Sequence, residues 1–248
     1  LKEQWMYQAV GDVILSHSLL LSFHEVDKKR TALTGISWGG VLTSVATSLD
    51  HRFRAAVPVY GCGFLAESGR MKQQLDKLSL LERETWIKQY DPSVYLSRAK
   101  CPVLFLNGTN DVHFYLPSMT QSAALVSKGQ VLIKYKLRHG HGHGWNNQEI
   151  GTFIDHYLCN GPALPKIKSL RLQDNILSVK AVSSSPVQKV VLYYTTDTNV
   201  EQEKCEWHFV EAVPSGKEWK VELPQKVVRW FVNVTDNSGN QLSGDLQE

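Results

Sequence analysis

Gly35-Ile36-Ser37-Trp38-Gly39 sets one serine between two glycines at the point where a short apolar run stops. The G-x-S-x-G spacing is that of a nucleophile elbow, a sharp turn from a strand into a helix. Such a turn forces the serine into a strained backbone conformation, and larger side chains at the flanking glycines would meet the neighbouring helix and strand. The hydroxyl then stands exposed at the end of a sheet. The amide of Trp38 falls at the start of the following helix, in place to donate to a developing oxyanion.

A serine hydroxyl is a poor nucleophile and needs a base. In triads built on this elbow an Asp or Glu follows the serine in the chain, and a His follows the acid. The stretch "FLNGTND" ends an apolar run and delivers Asp111, and "VLIKYKLRHGHGHGW" delivers His139, His141 and His143. His141, flanked by Gly140 and Gly142, fits best a loop that presents one imidazole to Ser37. His139 is the alternative, and His143, nearest the next helix, fits least. An H-x-H-x-H run could also bind zinc, but no nearby cysteine or acid completes a closed site. The sequence therefore predicts no metal and no cofactor. Phe64, Phe114, Tyr115 and Trp145 lie close in sequence to these residues. Phe114 and Trp145, with Trp38, are expected to shape a substrate pocket.

Positioning these groups requires alternating strands and helices. Apolar spacing predicts a helix over 3–22, a strand over 31–36, a helix over 38–49 and a strand over 54–60. A polar helical stretch over 70–90 follows, then a strand over 101–108, a helix over 115–128, a strand over 131–137 and a helix over 147–158. Strands nearly continuous in apolar residues, alternating with helices, imply a parallel sheet covered on both faces. Near "NGPALPKIK", 160–168, the helical pattern gives way to short alternating runs such as "ILSVKAV", "KVVLYYTT" and "VVRWFVNVTD". Those predict an antiparallel, immunoglobulin-like sandwich. The domains are therefore expected at 1–163 (catalytic) and 164–248 (β-sandwich accessory). Trp207, Trp219 and Trp230 of the second suit a core more than a sugar-binding platform.

Composition excludes some classes. The 248 residues are 42% hydrophobic and 21% charged, with a net charge of +3. That charge is too small and too scattered for a nucleic-acid surface. No apolar run reaches the roughly 18 residues of a membrane helix. Cys62, Cys101, Cys159 and Cys205 form no C-x-x-C pair, and their even number permits disulfides without requiring them. Asn107 and Asn233 begin N-x-T sequences that fit the glycosylation pattern.

Taken together, "LTGISWGGVLTSVATSLDHRFRAAVPVYGCGFL", "DPSVYL", "GTNDVHFY", "HGHGHGW" and "EIGTF" resemble the α/β-hydrolase family. The likeness is to its acetyl xylan esterase-like branch, near the prolyl-oligopeptidase and dienelactone-hydrolase types, and covers about residues 5–160. The resemblance implies a Ser-Asp-His triad, an acyl-enzyme and a small-molecule or polysaccharide ester substrate, usually met outside the cytoplasm, secreted or periplasmic. A serine peptidase of prolyl-oligopeptidase type would use the same triad, and a non-catalytic carbohydrate-binding protein is the rival from another class. Family members carry about four strands before the nucleophile, whereas here a single helix precedes the serine strand. The implied sheet thus lacks its early strands and leaves an edge uncovered. The second oxyanion donor is expected from a missing N-terminal segment or a partner chain.

Overall fold

The computed structural model describes residues 4–199 and 201–248. Its first element, α1 (Trp5–Leu20), buries Met6, Val10 and His17. His17 anchors that helix: its imidazole bonds to Asp50 at 2.7 Å and to Thr31 at 2.9 Å, and it stacks on Phe53. The parallel units follow as β1 (Ala32–Ile36), α2 (Trp38–Leu49) and β2 (Ala55–Val59). The polar stretch expected as one helix forms two, α3 (Gly69–Leu75) and α4 (Leu80–Tyr90). Ser79 divides them, because its hydroxyl and Glu82 make a reciprocal capping box that starts α4 afresh. Then come β3 (Val103–Gly108), α5 (Leu116–Leu125), β4 (Gly129–Lys134), the single turn α6 (His141–Gly144) and α7 (Glu149–Cys159).

β2 and β3 are buried along their whole length, as strands covered on both faces must be. The order β1-β2-β3-β4 is parallel throughout. These features, a parallel sheet whose strands alternate with helices, are those of an α/β-hydrolase fold.

Beyond Lys166 every strand is antiparallel: β5 (Lys166–Gln173), β6 (Ile176–Val182), β7 (Val187–Thr195), β8 (His208–Glu211), β9 (Val213–Ser215), β10 (Glu218–Glu222), β11 (Arg229–Asp236) and β12 (Gln241–Ser243). They do not form a sheet set wholly apart. β12 pairs with β4, so one eight-stranded sheet runs β1-β2-β3-β4-β12-β11-β7-β8, and β5-β6-β10-β9 form a second. The edge of β4 is therefore covered by the chain's own last strand, while β1 has a single neighbour among the described residues. Side chains weld the joint. Ser243 Oγ accepts from the Ile133 amide at 2.7 Å, and Asn233 Nδ2 donates to the Ile133 carbonyl at 2.9 Å. Buried Glu149 accepts from Lys134 Nζ and the Gln241 amide.

Two apolar clusters result. One lies between the two β-sheets, built on Leu177, Val179, Val190, Leu192, Val232 and Val234. The larger one fills the α/β half and also takes in Trp207, Phe231 and Leu242. Trp207 is buried against Phe231, and Trp219 and Trp230 pack on the smaller cluster, so all three side with the core. Asn107 and Asn233 are buried and hydrogen-bonded, which leaves neither open to a glycan. All four cysteines are free thiols.

Candidate active site

Ser37 sits between β1 and α2 with φ 58° and ψ −122°, far from any conformation a serine prefers. The local packing explains the cost. A Cβ at Gly35 would lie 2.3 Å from the Gly39 carbonyl oxygen. At Gly39 itself there is open space, contrary to the expectation for that glycine. The crowded positions are Gly40 and Gly61: a Cβ on Gly40 would meet the Val59 oxygen at 2.7 Å, and one on Gly61 the Gly40 carbonyl carbon at 2.4 Å. α2 thus presses directly on the end of β2, and the chain has no room to enter the helix less sharply. The Ser37 amide donates to the Val59 carbonyl at 2.9 Å, which fixes the elbow to the sheet. As the first residue of α2, Trp38 has an amide with no acceptor inside the helix.

Asp111 follows β3 and is fully buried. Its Oδ1 accepts from the amides of His113 and Phe114 at 2.6 and 3.0 Å, which orients the carboxylate. Its Oδ2 lies 3.0 Å from Nδ1 of His139, and Nε2 of His139 lies 3.1 Å from Ser37 Oγ. With the carboxylate accepting, Nδ1 carries the proton and Nε2 is left to receive one from the hydroxyl. Three side chains far apart in the chain converge as a continuous relay.

The bridging imidazole is His139, not His141. The reason lies in how the strand after Asp111 is tied down. The Asn110 amide donates to the Leu137 carbonyl at 3.2 Å, and the Lys136 amide to Thr109 Oγ1 at 2.8 Å. Two residues beyond that anchor the chain has reached Asp111, and the residue there is His139. His141 already belongs to α6 and is exposed, its ring centroid 5.8 Å from that of His139. His143 is exposed and bonds to the Arg138 carbonyl. The three histidines therefore do not converge as ligands.

Other predicted neighbours fall differently too. Phe114 is buried and tilts against His139 with centroids 5.9 Å apart, so it packs behind the base rather than facing a substrate. Trp145 is exposed on the surface beyond α6. Trp38 is half-buried and meets Trp5 edge-on at 5.0 Å. Around these two lies an apolar groove of about 600 Å³ that also includes Met71, Leu75 and Trp86. Phe64 and Tyr115 are not within ring contact of the relay; Tyr115 donates through its hydroxyl to Glu203.

Sequence reasoning missed two side chains that touch the base. Tyr60, at the end of β2, is fully buried with φ 49°, and its ring lies 4.9 Å from that of His139. Burial, with the Asp111 charge adding to it, pushes its phenol well above the ordinary range. His113 meets His139 edge-on at 4.6 Å. Burial holds its pKa below the usual imidazole value, and the neighbouring His139 lowers it further. Tyr60 closes a strand already recognisable as buried, so its position beside the site was implicit. A third missed residue, Gln202, belongs to the β-only region and carries no motif.

An elbow serine, a bridging imidazole and a buried carboxylate at the strand ends of an α/β sheet define a serine hydrolase of the α/β-hydrolase class. The prolyl oligopeptidase family, Peptidase_S9, matches residues 1–155, and the chain belongs to that family. A puromycin-hydrolyzing peptidase of Mycobacterium tuberculosis is similar at 22% identity and a TM-score of 0.52, over 62% of this chain and 26% of that one. An acetyl xylan esterase from Paenibacillus sp. R4 is similar at 25% identity and a TM-score of 0.51, over 61% of this chain and 52% of that one. An acylaminoacyl peptidase of Pyrococcus horikoshii is similar at 21% identity and a TM-score of 0.51, over 60% and 28%. The chain thus spans from about a quarter to about half of the length of these proteins. None of the curated proteins matches it.

Proposed function

We propose that this serine hydrolase cleaves carboxylic esters, with acetylated carbohydrate as the substrate class. The observation that carries the hydrolytic part is the relay Ser37–His139–Asp111 at 3.1 and 3.0 Å. His139 Nε2 takes the Ser37 proton as the hydroxyl attacks the ester carbonyl, and Asp111 stabilises the imidazolium that forms. The Trp38 amide receives the oxyanion at the start of α2, where the helix dipole favours negative charge. His139 then returns its proton to the departing alcohol. Water, deprotonated by the same imidazole, cleaves the acyl-enzyme. The ester and carbohydrate parts lean on the likeness to the acetyl xylan esterase. An immunoglobulin-like accessory role for residues 164–248, and a place outside the cytoplasm, belong to the same reading.

The family favours a second reading, a peptidase acting on amides through the same relay. A chromogenic acetyl ester assayed beside a proline-containing amide separates the two. Ester cleavage should dominate, and Ser37→Ala should lower it by about 10⁶-fold with the fold retained. Preference for the amide would replace the esterase reading, and undiminished ester cleavage by the variant would remove both.

A further inference from the structure

The acid loop is held by a residue the triad logic does not include. Gln202 comes from a single helical turn, Gln202–Lys204, between β7 and β8, and is 1% exposed. Its side-chain oxygen accepts from the Leu116 amide at 2.6 Å. Its Nε2 faces the carbonyls of Asp111, Gly108 and Phe114 at 3.3, 3.4 and 3.5 Å. One side chain thus gathers four backbone groups of the loop that runs from the end of β3 through Asp111 to the start of α5. Neighbours repeat the connection. Asn110 Nδ2 donates to the carbonyls of Cys205 and Glu203 at 3.0 and 3.3 Å, and Tyr115 donates to Glu203. On its other side the turn is moored to the sandwich, since Arg229 donates to the Asn199 carbonyl and to the Cys205 sulfur.

We infer that Gln202 is a positioning residue for the reaction: the β-only region reaches into the site and sets the aim of the Asp111 carboxylate. This inference rests on the relay reading above. The physical argument is one of completeness. Buried amides and carbonyls need partners: the Phe114 carbonyl has Asn107 Nδ2 at 2.6 Å and the Gly108 carbonyl the Asp111 amide at 3.4 Å, but the Asp111 carbonyl and the Leu116 amide meet theirs in Gln202. Gln202 offers both a donor and an acceptor from one end of a side chain, which no apolar residue of its volume does. Asp111 is therefore oriented from two sides, by its own loop amides on Oδ1 and by Gln202 behind the backbone.

Gln202→Leu tests this in the full chain. The loop should shift on the scale of about 1 Å, a misplacement that costs about 100-fold in rate. The expected result is a kcat lower by about that factor with KM within about threefold, the mark of an interaction that acts in the transition state. A merely structural role would lower the melting temperature and the active fraction together. It would not move the acid limb of the rate profile. A positioning role should move that limb, because the carboxylate that orients the base is displaced. Besides Asp111, the groups facing His139 are Ser37, Tyr60, His113 and His141, and Arg70 and Glu203 lie near His113. None of these is altered by the substitution. Asn110→Ala, which removes the two hydrogen bonds from Nδ2 to the Cys205 and Glu203 carbonyls, should give the same signature at about a tenfold loss. It provides the answer if Gln202→Leu does not fold. Proton NMR of the His139 Nδ1–H, bonded to Asp111, reads the positioning without any substrate. Its far-downfield resonance should be present in the parent and shifted or lost in both variants. A resonance and acid limb unchanged in the variants would overturn the inference. A parent that shows the resonance but cleaves no ester or amide would instead overturn the proposed function.

Discussion

The parallel half and the β-only region use their strands in opposite ways. β2 and β3 are buried at every position, while β5 exposes Lys166, Lys168, Arg171, Leu172 and Gln173 along one strand. A parallel strand with helices on both faces has no side for water, and its ends open onto helix N-termini where charge is stabilised. The relay sits on those ends. An antiparallel strand in a two-sheet stack keeps one face wet and offers a core without a reactive edge. The comparison teaches that chemistry and support are divided by architecture, yet one sheet runs through both regions. β12 extends the parallel sheet, Phe231 and Trp207 enter its core, and Gln202 enters its acid loop.

The sharpest way to test this division is within the site. His139→Ala should lower ester hydrolysis by at least about 10⁴-fold, whereas exposed His141→Ala should stay within severalfold of the parent. Steady-state assays of the two variants side by side decide the point, and equal losses would return the base to the α6 turn. Next in size is the shared core. Phe231→Ala should destabilise by about 3 to 5 kcal/mol. Because Phe231 belongs to the apolar cluster that fills the α/β half, denaturant unfolding followed by far-ultraviolet circular dichroism should show a single weakened transition. Two separate transitions, with only one weakened, would mean that the regions fold independently.

The smallest effect belongs to the far end of the parallel half. Burial alone would raise the Asp50 carboxyl, but bonds from Arg52 and His17 outweigh it and hold its pKa at about 2, below the ordinary 3.8. A carboxyl depressed in the folded state stabilises it above the unfolded value and loses that contribution as pH falls through the folded one. Asp50→Asn should therefore cost about 2 kcal/mol near neutral pH. The cost should vanish on acidification toward pH 2, as followed by urea midpoints across pH.

Much of the parallel half was legible in its residues. The run "AAVPV" can only be a strand buried on both faces, and Gly35 before Ser37 announces an elbow whose crowding the structure locates to 2.3 Å. The choice between His139 and His141 was not legible, because it depends on the long-range anchoring of Lys136 and Leu137 to Thr109 and Asn110. The split at Ser79 was written in a capping box, Ser79 to Glu82, but hidden by helical composition on either side. Least legible was the joint between regions. β12 is three residues long, and nothing in "QLS" declares that it pairs with β4. Gln202 is equally silent, since its role arises from backbone groups 86 or more positions away.

The most direct test of the catalytic relay is labelling of the protein with a fluorophosphonate, followed by peptide mass spectrometry. The account predicts one adduct, on Ser37, formed rapidly in the parent and in His141→Ala and slowed severely in His139→Ala. An adduct on a different residue, or equal labelling of Ser37 with and without the His139 imidazole, would contradict it.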